Sequence, residues 1–418
     1  MGYSGVKGGM DAILAAERLV LRKREEASWA SAEQITGMFR LAVDRVMGEA
    51  GLYDEGAAAD AFRQAEGDLL EAAHLMRAYR SSLPRLAVTE PADPDEVTVL
   101  RRIVPASRTP DGPQLLGRTT DYTARVLDRP DGPPAASESP MDDQSVGQGA
   151  AAASVAVGAS AAAAASVAVG ASAAAAASVA DAADAATDAT AGLVVRPSDQ
   201  ARRPGRFSEL LAKLDLTVTH DRAPADDEPF DVTRSAARPP APRSAVLSSM
   251  ARAETGALVA LWYRSVRGPD GAVNEVTLGE VRHGRLPLRV IHPLTGNPVD
   301  TGTVRVTEVE AIEDLDGPEE DRTRLDIGYG LCFGHNERKA IAMANLDIAC
   351  RRAHSDELEQ LLLLTTDGLD SGGFLEHLKL PHYVTFRSIV DRKLAGRVAT
   401  SDEATAGKVP DTFGKECQ

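Results

Sequence analysis

Two histidines, His377 and His382, lie in the run His377-Leu378-Lys379-Leu380-Pro381-His382-Tyr383. By residue type they are well suited to metal chemistry, because neutral imidazoles are common zinc ligands. Two of them fill half of a tetrahedral shell and leave positions for water, substrate or a donor from another chain. A pair on one helix face wants i,i+4 spacing. The step of five here turns the second ring by about 140°, and Pro381 breaks any helix. Convergence on one ion therefore needs a proline bend, and the spacing equally fits two ordinary histidines near a strand start. Lys379, between them, has the charge and reach to meet a phosphate or phosphonate oxygen.

A second cluster lies upstream. Gly328-Tyr329-Gly330-Leu331-Cys332-Phe333-Gly334 is one residue off the dinucleotide fingerprint, and no acidic residue about 20 positions later closes a βαβ unit. Glycines in this position predict close backbone packing or turns ahead of a helix. Asn336-Glu337-Arg338-Lys339 then opens that helix and sets Arg338 and Lys339 near its free N–H groups. Cations there oppose the macrodipole unless an anion occupies the site, so the pair reads as an anion site or as a solvated first turn.

Familiar catalytic signatures are missing. The chain has no GxxxxGK[ST], HExxH, GxSxG or Cys–His motif. Cys332, Cys350 and Cys417 are too few and too far apart for a disulfide framework or a CxxC zinc site. With an N-terminus unlike a signal peptide, this implies a reducing cytosol. His74 is expected at the core or edge of a helix, and His283 and His292 flank a strand segment without a partner at metal spacing.

The elements that must position these residues follow from composition and periodicity. The 418 residues contain 46 Lys+Arg against 62 Asp+Glu, a net charge of −16. That balance disfavours a surface that tracks nucleic acid or an anionic membrane, though it allows a local basic pocket for one phosphorylated ligand. Aromatics are only 4% of the chain, so its core must be built from small aliphatic residues. Helices are predicted from Asp11 to Arg24, behind a Ser31/Gln34 capping box with Gly51 as a stop, and behind an Asp68 cap running toward Pro84. Val97 to Val104 reads as a strand. After Phe207, strand-like pieces occur at Val276–Leu278, Leu288–Ile291 and Thr303–Val309, with turns around Pro293 and Gly296-Asn297-Pro298. Leu258 to Tyr263 suits a buried helix turn or a strand, and Leu361 to Leu364 a further core piece.

Between these regions the chain is alanine-rich, and Ser154-Val155-Ala156-Val157-Gly158-Ala159-Ser160 recurs with a period of 12. Twelve helical steps displace the valines by about 120°, so no apolar stripe forms. The segment is free of charge from Gln144 through Ala180, but Ala, Ser and Gly are poor membrane residues, and a linker is expected. The resulting expectation is an α+β protein. It comprises a mainly helical N-terminal domain (1–128), a low-complexity insertion (129–206), an α+β C-terminal domain carrying the histidine motif (207–395) and a polar tail (396–418).

Several of these segments, in order, are similar to one known family. Val6-Lys7-Gly8-Gly9, Leu41 to Met47, Leu75-Met76-Arg77-Ala78-Tyr79-Arg80, Gln114-Leu115-Leu116-Gly117 with Asp121-Tyr122-Thr123, Gly328 to Leu331 with Glu337-Arg338-Lys339-Ala340, and Gly373-Phe374 with His377 to Val384 and Phe386 resemble PhnI, a subunit family of the bacterial carbon–phosphorus lyase complex. The resemblance implies a nucleosidase subunit that, with its partners, displaces adenine from MgATP at ribose C1 with an alkylphosphonate. For methylphosphonate the products are adenine and α-D-ribose 1-methylphosphonate 5-triphosphate. Acting alone, such a subunit is implied to hydrolyse purine nucleoside triphosphates. The implied partners are subunits G, H and J, J being a radical iron–sulfur enzyme, with K and L as further partners. The implied metal is zinc, held by His377 and His382 near J, with magnesium entering on ATP. The triphosphate needs cations, for which Lys379, Arg338 and Lys339 are the candidates; no general acid can be named. A scaffold role in the same complex, with neighbours supplying the catalysis, is the alternative. An unrelated zinc hydrolase would need a fuller ligand set. The alanine repeat has no counterpart in the family pattern.

Overall fold

The computed structural model describes residues 9–26, 30–123, 125–126, 205–218, 229–266, 276–314, 323–353, 356–367 and 383–406. The alanine repeat, His377, Lys379, His382 and Cys417 lie outside them. Residues up to 114 and from 203 onward belong to one compact unit. In the other unit, 115–202, Thr119 Oγ1 donates to Asp121 (2.7 Å), and Asp121 pairs with Arg125 (2.9 Å).

Five helices open the chain: α1 (Gly9–Glu26), α2 (Ala32–Met38), α3 (Arg40–Ala50), α4 (Glu55–Gln64) and α5 (Leu69–Ser82). Their boundaries follow the expected caps. Ser31 and Gln34 form a reciprocal capping box, and Asp68 accepts from the N–H groups of Leu70 and Glu71. Gly51 closes α3 in the left-handed conformation. Helices α2 to α5 share a core of Ile35, Val43, Val46, Met47, Ala50, Ala58, Ala59, Ala61, Ala72 and Met76. No aromatic side chain is among these buried residues, in keeping with the composition.

The rest of the fold is built on one antiparallel sheet in the order β1 (Thr98–Ile103), β2 (Val276–Ile291), β3 (Pro298–Asp314), β4 (Leu325–Phe333). Helices and sheet together make the α+β architecture expected. The sheet takes β1 from the N-terminal side of the alanine-rich stretch and its other strands from the C-terminal side. The strand pieces expected between Val276 and Val309 merge into two long strands. They are joined by a turn in which the His292 N–H donates to Asn297 O (2.9 Å) and the Gly296 N–H to His292 O (2.9 Å). A 3-10 turn (Pro94–Glu96) and helices α6 (Phe207–Lys213), α7 (Arg243–Arg252), α8 (Thr255–Val266), α9 (Glu337–Ala353), α10 (Asp356–Thr365) and α11 (Tyr383–Ala406) complete the described elements. Leu258 to Tyr263 is therefore helical, and α11 runs through residue 395, where the sequence turns polar. Among the described residues no helix is long and apolar enough to cross a membrane.

Residues 304–313 of β3 are buried on both faces. Alternate residues face opposite ways along a strand. Val309 and Ala311 join Met343, Ala344, Leu346 and Ile348 of α9 in the main core, while Val304 and Val306 pack with Val97 and Leu286 on the other face. That second face also carries buried ion pairs. Arg102 bonds Glu280 (2.7 Å), Arg282 bonds Glu308, and Arg206 reaches Glu308 and Glu310 (3.0 Å each).

The glycines of β4 set how near α9 lies. A Cβ at Gly328 would fall 1.9 Å from Ala344 O, and one at Gly330 would fall 2.3 Å from Ala340 O. These glycines serve close strand–helix packing, one of the two roles anticipated for them. Gly330→Ala is accordingly expected to cost more than about 2 kcal/mol through overpacking. Gly37→Ala in α2, where nothing lies within 4 Å of the new carbon, should stabilise by up to about 1 kcal/mol. Urea unfolding checks both. A Gly330→Ala chain as stable as the parent would contradict the close-packing account.

Candidate functional site

The turn from β4 into α9 gathers polar side chains from five elements, α3, β1, β2, β3 and α9. Gly334 adopts φ 72°, and a Cβ on it would sit 2.6 Å from Asp44 Cβ, so the bare backbone lets α3 approach. Asp44, fully buried on α3, accepts from Arg305 Nη2 (2.8 Å) and from the His335 N–H (3.0 Å). Its backbone carbonyl accepts from Asn336 Nδ2 (2.9 Å). Thr307 Oγ1 donates to Gly334 O (2.6 Å) and accepts from the Asn336 N–H (3.0 Å). The anion held just ahead of α9 is thus the protein's own carboxylate.

Two imidazoles stack at this turn. His283 and His335 have ring centroids 4.4 Å apart and planes 16° from parallel. His283 Nδ1 lies 2.9 Å from Val306 O, which can only accept, so that nitrogen carries the proton. Burial holds this imidazole well below the usual histidine range, and the nearby His335, Arg305 and Arg40 push the same way. Arg40 Nη1 donates to His335 Nδ1 (2.9 Å), which places the His335 proton on Nε2, 3.4 Å from Glu337 Oε1. Arg101 bonds the same oxygen. Burial raises the Glu337 carboxyl, but hydrogen bonds from His335 and Arg101 outweigh it and hold the group below the ordinary value. The His335 side chain is 10% exposed, so this constellation meets the surface at one edge. It can hold a proton at a defined atom and present it beside two guanidinium groups.

Of the cations singled out in the sequence, Arg338 is exposed on the first turn of α9 and Lys339 is 1% exposed. Successive helix positions differ by 100°, and the two do not face one way. Lys339 Nζ has no hydrogen-bond partner among the described residues, and neither has Glu49 Oε2. Burial lowers the lysine ammonium below its usual range, with Arg77 and Arg45 adding to the effect and Cys332 and Glu49 opposing it. Burial also pushes the Cys332 and Cys350 thiols up to about 12, so neither provides a thiolate at neutral pH. Among the described residues no group of three or more His, Cys, Asp or Glu side chains could hold a metal. His74 is exposed on α5, and His283 lies inside β2. The sequence reading missed His335, which lies far from His283 along the chain; only the pairing of β3 with both β2 and β4 brings the two rings together.

The chain matches the family described as bacterial phosphonate metabolism protein (PhnI) over residues 2–397. It is 38% identical over 417 residues to a putative C–P lyase subunit protein, HtxH, of Stutzerimonas stutzeri, covering 97% of this chain and 98% of that one. It is 33% identical over 399 residues to the alpha-D-ribose 1-methylphosphonate 5-triphosphate synthase subunit PhnI of Rhizobium meliloti (strain 1021), covering 93% of each. The protein of the same name from Escherichia coli (strain K12) is 33% identical over 396 residues, covering 92% of this chain and 96% of that one.

The depressed His283 value makes stability depend on pH. Below the unfolded value of about 6.5, the unfolded chain binds a proton that the folded chain refuses. Stability contributed by neutral His283 is therefore complete above that pH and is lost as pH falls. Between pH 6.5 and 5.5 the parent should lose about 1 kcal/mol more than His283→Gln in urea unfolding. Parallel profiles for the two would show that His283 does not titrate on unfolding.

Proposed function

The chain belongs to the PhnI family of bacterial phosphonate metabolism proteins, and from that premise we propose that it is the nucleosidase subunit of a carbon–phosphorus lyase system. The observation that carries the reading is a match along nearly the whole chain to relatives named as subunits of a ribose 1-methylphosphonate 5-triphosphate synthase. In the proposed reaction an alkylphosphonate oxygen bonds to ribose C1 of MgATP as the bond from C1 to the purine breaks. Adenine leaves with a proton, and the ribose 1-phosphonate keeps its 5-triphosphate. Subunits G, H and J form the proposed core with this chain, K and L join as further partners, and the assembly works in the cytosol.

Such a displacement passes through an oxocarbenium-like centre and needs an acid for the purine, a placed nucleophile and positive charge for the triphosphate. Arg338 is exposed and free to turn toward a phosphate, and Lys379 is assigned the same task. Lys339 would act from beneath the surface, through the field of its buried ammonium. His377 and His382 are the proposed zinc ligands. Their chemistry suits that ion, and the remaining positions fall to water, substrate or another subunit. When bound, zinc supplies a fixed positive charge beside the phosphorylated substrate.

The scaffold reading draws on one observation: the groups around His335 satisfy one another, as interior supports do. Incubation of the purified chain, and of the reconstituted assembly, with MgATP and methylphosphonate separates the possibilities. Free adenine from the chain alone supports the nucleosidase. Turnover only by the assembly favours the scaffold, and no adenine from either contradicts the proposal. In the assembly, His377→Ala/His382→Ala should lose bound zinc by elemental analysis, and unchanged occupancy would refute these ligands.

A further inference from the structure

In a chain of net charge −16, guanidinium groups crowd one corner of the helical layer. Arg77 and Arg80 lie one turn apart on α5, Arg85 follows its end, and Arg252 ends α7. Arg77 donates to Glu49 O (2.8 Å from Nη2) and pairs with Asp367 (2.8 Å), which Arg252 also reaches (3.2 Å). Arg85 bonds Asp231 (2.5 Å) and Thr233 Oγ1 (3.0 Å), and Arg234 lies 3.7 Å from the same aspartate. Arg80 sits among them. Its Nη1 donates to Ala50 O (2.9 Å) and Gly51 O (3.4 Å), and among the described residues no carboxylate lies within ion-pair distance of it.

Capping the C-terminal end of α3 accounts for the carbonyl bonds of Arg77 and Arg80, since cations suit that end of a helix. It does not account for the crowding. A neutral amide could donate to those carbonyls without facing Arg252 and Arg77, whereas the Arg80 guanidinium is destabilised first by burial and then by these two neighbours and Arg85, with Asp231 offsetting them only in part. Like charges gathered at a half-buried position are relieved by a multiply charged anion, and planar guanidinium forks match phosphate oxygens. We propose that Arg80 and Arg85, backed by Arg77 and Arg252, bind the polyphosphate chain of a nucleoside triphosphate. The identity of that ligand rests on the ribosyl-transfer reading; the anion site itself does not.

The test is calorimetric titration of inorganic tripolyphosphate into the full-length chain. One saturable site is expected, weakening as salt rises. Arg80→Ala should reduce affinity at least tenfold and Arg85→Ala at least fivefold. Arg264→Ala, which removes an exposed ion pair with Glu357 on another helix, should leave it unchanged. Should Arg80→Ala fail to fold by circular dichroism, the exposed Arg85 decides. No binding by the parent chain, or equal binding by Arg85→Ala, overturns the site. The two readings fail separately. Tripolyphosphate binding lost in Arg85→Ala, with no adenine released by any assembly, keeps the anion site and removes the nucleosidase. Adenine release with the KM for ATP unchanged in Arg85→Ala keeps the nucleosidase and overturns the nucleoside triphosphate as the ligand of this site.

Discussion

A single buried carboxylate ties the helical layer to the sheet. Asp44 has no solvent exposure, and an ion of its size costs several kcal/mol to dehydrate, so its site persists only if every partner is in place. Arg305 on β3 neutralises it, and Glu55 takes the other end of that guanidinium (3.0 Å). Asp44 and Glu55 together with Tyr53 outweigh the effect of burial and keep the Arg305 charge firmly in place. The backbone of the turn into α9 supplies the remaining bonds. The start of α9 is tied to this residue through the His335 N–H and Asn336 Nδ2.

Small side chains make that arrangement possible. Alanines and glycines on β4 and α9 let strand and helix approach until a methyl group would strike backbone, and Gly334 does the same for α3. Close packing of small residues substitutes for the aromatic bulk that the chain lacks, gaining dispersion contacts in place of large buried rings. Lys339 Nζ and Glu49 Oε2, buried without hydrogen-bond partners among the described residues, are an unusual cost in this interior.

Much of this fold was legible in the sequence because local rules decide it. Ser31 with Gln34, Asp68 and Gly51 act within a turn of themselves, and the structure places helix ends there. The glycine run announced close packing ahead of a helix for the same reason. The length of β2 was harder to read, because Gly284 and Pro287 interrupt the residue types expected of a strand while the ladder continues through them, and Gly279 falls at a register shift between Leu278 and Glu280. The alternation of Glu308, Glu310 and Arg282 with apolar neighbours resembles a solvated face, but arginines from β1 and the start of α6 cover it. The His283–His335 stack and the arginine corner are products of tertiary contact: no spacing links a residue inside β2 to one in the turn after β4, or α5 to the end of α7. The proposed zinc ligands and Lys379 stand on family resemblance and on the chemistry of their side chains.

The claim that Asp44 and Arg305 join helices to sheet is most directly tested by a double-mutant cycle on the two, with stabilities from urea unfolding. Asp44→Ala and Arg305→Ala should each be strongly destabilising, and the pair should lose less than their sum by about 1.5–3 kcal/mol. Losses that add to within about 0.5 kcal/mol would show two independent residues and contradict the account.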